Sequence, residues 1–243
     1  IKFSKTYRFT DINYKVASRE DKETMFLAYS ELLNSLDSAA TTKLTICNRR
    51  QSQADFEQSV LMSMRGDGLD KYRKEYNQML IDKATGANGI IQEKLVTVTV
   101  YKRDIEDARA YFTRIGADLT ARFAALGSKC VELDAADRLR ILHDFYRAGD
   151  EGSFHLCLAD MARKGHDFRD YICPDGIEKH SDYLKLGDRY CRVLFLKDYA
   201  NYIQDEIVAN LTDLNRNMML SIDILSVPTD EAVREVENRL LGV

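Results

Sequence analysis

KLVTVTVYKRDIEDARAYFTRIGADLTARFAALGSKCVEL, residues 94–133, reads as a strand, a helix and a second strand. From 94 to 102, Val96, Val98 and Val100 face one way and Thr97, Thr99 and Tyr101 the other, the two-residue period of a strand with one face on a core. Asp104 then stands where a helix N-cap belongs, with Asp107 three residues on. Ile105, Ala108, Phe112, Ile115, Leu119, Phe123 and Leu126 recur along one helical face until Gly127 ends it. Residues 129–133 return as a short strand, and a helix capped by Asp134 follows with Leu139, Leu142 and Tyr146 on its apolar side.

Upstream, residues 3–14 alternate around Phe3, Tyr7 and Phe9. Ser18, with Asp21 three residues later, predicts a capped helix carrying Met25, Tyr29, Leu32 and Leu36 and stopping near Asp37. Residues 42–47 form a second strand, and 48–55 a loop. A further helical pattern runs from 55 to 85, clearest at Leu69, Tyr72, Tyr76 and Leu80 after the break Gly66, Asp67, Gly68, and 86–89 is a turn. The order is strand, helix, strand, inserted helix, strand, helix, strand, which is a ferredoxin-like split βαβ pattern with one extra helix. The expected class is α+β in two lobes of this character, with mostly antiparallel sheets and helices packed on one face.

The first lobe is assigned to residues 1–148. Patterning weakens over 149–182, where Gly152, Gly165, Pro174 and Gly176 punctuate an irregular connection and only residues 156–161 look helical. Residues 183–243 read as a second β-β-α-β-α lobe. After a tight turn at Gly187 and Asp188, a strand carries Tyr190, Leu194 and Leu196 on one side and Cys191, Val193 and Phe195 on the other. Such a strand needs cover on both faces. A helix with Ile203, Ile207, Leu211 and Leu214 follows, then an apolar run over 218–227, then a helix opened by Pro228 and Thr229. Val193, Leu194, Ile207, Leu211 and Ile222 are expected to be buried.

A chain of 243 residues, 45% hydrophobic, is long enough for real cores, and its 2 prolines and 12 glycines argue against disorder. The formal net charge of -4 offers no footprint for nucleic acid or an anionic bilayer, because both reward clustered Lys and Arg. No apolar run approaches the roughly 20 residues that cross a bilayer, so a soluble chain is expected. Ile1 at the start and a helix directly before Val243 suggest a piece cut from something longer. Five scattered cysteines, Cys47, Cys130, Cys157, Cys173 and Cys191, read as free thiols in a reducing compartment.

Chemistry is hard to find. Gly127, Ser128 and Lys129 come nearest to a phosphate-cradling loop, but Arg122 occupies the first glycine's place and a helix C-cap explains Gly127. His155, Cys157, His166, Cys173 and His180 lack the short paired spacing of zinc ligands and are better read as thiols and exposed imidazoles. No nucleophile elbow or separable carboxylate pair stands out. The residues therefore assign no catalytic, cofactor-binding or metal site. A single-stranded nucleic-acid module on a ferredoxin-like sheet is the alternative, but the strand at 94–102 offers only Tyr101 for base stacking. Tyr72, Tyr76 and Tyr111 are read as packing residues with polar tips.

Several longer segments carry a family likeness: SREDKETMFLAYSELLNSLD (18–37), TTKLTICNRR (41–50), GDGLDKYRKEYNQMLIDKATGANGIIQEKLVTVTV (66–100), GDRYCRVLFLKDYA (187–200) and NMMLSIDILSVPTDEAVREVENRLL (217–241). Together they resemble the N-terminal region of the VirB/TrbE/CagE-type conjugation ATPases, the assembly motors of type IV secretion systems, in the version carried by integrative conjugative elements of Gram-positive gut bacteria. The resemblance implies a non-catalytic domain that docks a motor to the inner-membrane components of the channel and to its own copies in a hexamer. It places the chain in the cytoplasm, peripheral on the inner face of the membrane, touching the transferred DNA complex only indirectly. ATP and Mg would belong to a RecA-like motor beyond residue 243. No nucleotide-binding residue carries over to this stretch.

Overall fold

The computed structural model describes residues 1–36, 38–50, 61–86, 90–198 and 206–241. The fold is α+β, with a five-stranded antiparallel sheet and a three-stranded sheet and with helices packed against them. The larger sheet is built from β1 (Lys2–Phe9), β2 (Ala40–Arg50), β3 (Ile90–Tyr101), β4 (Cys130–Leu133) and a strand late in the chain, Met218–Leu225. Its order is β4, β1, β3, β2 and then that late strand. The first four strands have the order expected of a ferredoxin-like split βαβ pattern. Helix α1 (Arg19–Asn34) links β1 to β2, α2 (Asp70–Gly86) is the inserted helix, and α3 (Ile105–Ala125) links β3 to β4.

The chain divides into two compact units, one of residues 1–46, 93–134 and 220–243 and one of residues 47–92 and 135–219. The expected lobes at 1–148 and 183–243, with a connection at 149–182, group it differently. The reason lies in the strand Met218–Leu225, which enters the sheet containing β1 instead of building one of its own.

In the first unit, β1 lies antiparallel to β3 with Tyr7 opposite Val96 and Phe3 opposite Val100, so these side chains share one face. That face meets Leu32 within α1, Leu36 just after it, and Ala108, Phe112, Ile115, Leu119 and Phe123 of α3 in one core. Phe9 stacks on Phe123 with ring centroids 4.8 Å apart. The caps predicted at Ser18 and Asp104 form: Ser18 Oγ accepts from the Asp21 N–H at 3.2 Å, and Asp104 accepts from the Glu106 and Asp107 N–H groups. At the far end of α3, Gly127 has φ +80, its N–H bonding Ala124 O at 2.9 Å and the Ser128 N–H bonding Phe123 O at 2.8 Å. That is the paired bonding of a Schellman C-cap, and glycine supplies the left-handed backbone it requires.

Gly116 lets α3 approach β1, because a Cβ there would meet the Tyr7 hydroxyl at 3.0 Å. Tyr7 is buried, burial holds its phenol protonated well above the ordinary range, and its hydroxyl has no hydrogen-bond partner among the described residues. Along the late strand, Ile222 and Ile224 are half-buried while Ser221 and Asp223 are exposed, as for an edge strand covered on one side. Asp223 pairs with Lys43 at 3.3 Å. The helix Thr229–Leu241, opened after Pro228 as its sequence predicts, keeps Val233, Val236 and Leu240 exposed.

The second unit holds α4 (Ala135–Tyr146), a 3-10 turn at Glu151–Ser153, α5 (Leu158–Lys164), α6 (Phe168–Ile172), β5 (Ile177–Lys179), β6 (Leu184–Leu186), β7 (Arg189–Cys191) and α7 (Ile207–Thr212). The late strand and the last helix are accordingly β8 and α8. Residues 149–182 are thus less irregular than expected, since α6 carries a reciprocal capping box between Asp167 and Asp170. The two-residue turn at Gly187 and Asp188, with Gly187 at φ +56, joins β6 to β7 as predicted. Inserted helix α2 begins at Asp70, later than the pattern from 55 suggests, and runs through Gly86, the first residue of the turn expected at 86–89; residues 51–60 and 87–89 lie outside the described residues.

Candidate functional site

Three places gather polar chemistry or unsatisfied surface, and they differ in what they can do. The first is the loop before α2. Asp70 accepts the N–H groups of Arg65 and Gly66, each at 3.0 Å, and Arg73 forks onto Asp67 and Asp70 at 2.5 and 2.7 Å. The Arg73 hydrogen bond pulls the Asp67 carboxyl down to about 2. Backbone N–H groups, Arg65 first, and then Arg73 lower Asp70. Asp67, Asp70 and Arg73 are bonded to one another and to the loop's own backbone, so the cluster fastens the helix start.

The second place is on α4. His143 and Asp144 are both buried, His143 Nδ1 lying 3.2 Å from Asp144 Oδ1 and His143 Nε2 lying 3.4 Å from Ser153 Oγ. His143 and Ser153 border a small cavity of about 210 Å³ together with Arg147, His155, Asp170 and Tyr171. The sequence showed none of this. His143 sits at a position that only the burial of Ile141 and Asp144 beside it reveals as inward-facing. Serine, imidazole and carboxylate in a row is the arrangement of an activated nucleophile. Here, however, Ser153 Oγ donates to the Asp150 carbonyl oxygen at 2.8 Å, closer than the imidazole. Arg147 is likewise engaged, by Asp150, the Cys173 carbonyl and Asp175. This network ties α4 to the residues around α6 and leaves the serine proton committed to a carbonyl.

Of the histidines and cysteines weighed as ligands, His166 pairs with Asp170 at 3.2 Å, and His180 pairs with Glu178 and stacks on Tyr183 with centroids 4.4 Å apart. All five cysteines are free thiols, and among the described residues no three His, Cys, Asp or Glu side chains converge on a metal position. Burial pushes the Cys130 thiol up to about 11, which makes it unreactive. Ser128, next to Gly127 at the end of α3, donates its hydroxyl to Thr10 O at 2.6 Å.

The third place is apolar. Beyond β7, residues 192–197 form no described strand, and Leu194 and Phe195 are each 83% exposed, with Tyr190 and Val193 at 73%. This corrects the sequence reading. Val193 and Leu194 are not buried, the strand ends at Cys191, and Ile207, Leu211 and Leu214 are also exposed. Ile222 is half-buried, and Ile203 lies outside the described residues. The physical reason is simple: a strand apolar on both faces is buried only where two layers meet it, and the described residues bring none. Tyr72 and Tyr76 are corrected in the same sense, standing exposed on α2 with Met79, as does Leu69 just before it, whereas Tyr111 does pack in the core.

No family model matches this chain, and no curated protein matches it. Among the described residues no helix is long and apolar enough to cross a membrane.

Proposed function

We propose that this chain is a non-catalytic docking and oligomerisation domain of a type IV secretion ATPase, attaching a conjugation motor to the inner-membrane channel from the cytoplasmic side. The resemblance over most of its length motivates the assignment. The observation that carries it is the exposed apolar surface from Tyr190 to Leu196, since contiguous patches of large apolar side chains mark interaction surfaces. Its polar clusters are consumed internally, as at Arg73 and Arg147, which fits a role performed by surfaces.

The test is to mix the purified chain with each detergent-solubilised membrane component of the channel and measure complex formation by size-exclusion chromatography. Binding to one small component and no ATP turnover by the chain alone are expected. Robust ATP hydrolysis, or failure to bind any component, overturns the proposal. The single-stranded nucleic-acid reading has less behind it. On the sheet face away from α1 and α3, register puts Ser4 opposite Thr99 and Thr6 opposite Thr97, with the two Thr hydroxyls 2.8 Å apart. Hydroxyls stand where stacking aromatics would be needed, leaving only Tyr101 at the end. Salt-dependent retention of a single-stranded oligonucleotide would revive that reading.

A further inference from the structure

The segment RVLFLKD, residues 192–198, is the least satisfied part of the second unit. Among the described residues, β7 pairs with β6 alone, and residues 193–198 make no hydrogen bond. Their apolar side chains lie in solvent. An unpaired, β-prone edge of this kind is a template for another strand.

We infer that residues 192–198 form a two-fold antiparallel strand pair with the same residues of a second copy of this chain. The chemistry of the segment selects both the partner and the register. Centred on Phe195, the pairing sets Phe195 opposite its own copy, Leu194 opposite Leu196, and Arg192 opposite Asp198 at both ends. Directly opposed residues share a face, so aromatic and aliphatic pairs fill the middle while two ion pairs close the ends. Val193 falls opposite Lys197, whose aliphatic stem can lie along it. A shift of one residue in one direction opposes Arg192 to Lys197, a like-charge pair, and in the other direction opposes Lys197 to Leu194 and Asp198 to Val193. Only the Phe195-centred register matches Arg192 with Asp198. The contact is isologous and therefore closes as a dimer without continuing into a filament. It deepens the oligomerisation half of the proposed function and rests on that reading.

The test is sedimentation velocity on the whole chain over roughly a hundredfold range of concentration, where the dimer fraction should rise by mass action. Phe195→Asp should abolish the dimer. Arg192→Asp or Asp198→Arg alone should weaken it about tenfold or more, because each opposes like charges at both ends. The double variant Arg192→Asp/Asp198→Arg should restore it. Arg192 Nε also donates to the Asp182 carbonyl at 3.0 Å, so Asp198→Arg, which disturbs no described bond, is the control on local structure. Unchanged thermal unfolding of each variant shows that the fold is intact. A chain that stays monomeric throughout, a dimer indifferent to the single reversals, or a double variant that does not recover overturns the strand pair. The same proteins separate the two proposals: a monomer that still binds a membrane component sinks the pairing alone, and a dimer that binds none sinks docking alone.

Discussion

Residues 95–126 and residues 190–214 are comparably rich in apolar side chains at regular spacing, yet they end in opposite environments. In the first, Val96, Val98 and Val100 and the stripe Ala108, Phe112, Ile115, Leu119 and Phe123 form one core with Tyr7 and Leu32. In the second, Val193, Leu194, Phe195, Leu196, Ile207, Leu211 and Leu214 are all exposed. The difference lies in how the apolar residues are distributed. The first stretch is amphipathic, apolar on one side only, and specifies a single buried face. The strand-like part of the second is apolar on both sides and asks for two covering layers, which the described residues do not supply. Apolar periodicity states a demand for burial; whether it is met depends on what the rest of the assembly brings.

The sharpest way to break this comparison is a pair of truncations. Leu119→Ala, at a wholly buried position, should cost about 2–5 kcal/mol in denaturant unfolding. Leu194→Ala should stay within about 0.5 kcal/mol for the monomer. A cost above about 2 kcal/mol at Leu194 would mean that the segment is buried within the chain. Next in size is Gly116→Ala, which should cost about 1–3 kcal/mol because the new Cβ meets the Tyr7 hydroxyl at 3.0 Å. Tyr7→Phe in the same protein should recover part of that loss, since it removes both the clash and a buried hydroxyl without a described partner.

Smaller again is Asp104→Ala. It removes the oxygen that accepts two N–H groups at the start of α3 and should cost about 1 kcal/mol. The smallest effect is electrostatic and lies in the second unit. Asp67 has its carboxyl lowered to about 2 from an ordinary 3.8. Its contribution to stability is therefore present above about pH 4 and is lost as pH falls through about 2. Arg73→Gln should raise the Asp67 titration midpoint toward the ordinary value in an NMR titration and flatten the acid limb of stability; an unchanged midpoint would show that the clasp does not form in solution.

Legibility followed the same division. The caps at Ser18 and Asp104, the glycine stop at Gly127 and the alternation of β3 are local devices, each decided by a few neighbouring residues, and the ferredoxin-like order of β1 to β4 follows from them. The role of β8 was not legible, because an apolar run such as Met218–Leu225 fits an edge of any sheet and nothing local names which. The cluster of His143, Asp144 and Ser153 was equally hidden. His143 and Asp144 are adjacent on a helix and Ser153 lies past a turn, so no motif spacing announces them.

By itself, then, the sequence determined the elements of the first unit and the face that each one buries, because capping and periodicity are short-range and act whether or not partners are present. Only the tertiary structure decided that β8 completes the first sheet, that the hydroxyl of Ser153 is committed to a backbone carbonyl, and that residues 192–197 remain in solvent. These outcomes depend on which surfaces meet, and an apolar or polar side chain carries no information about the identity of the surface that will satisfy it.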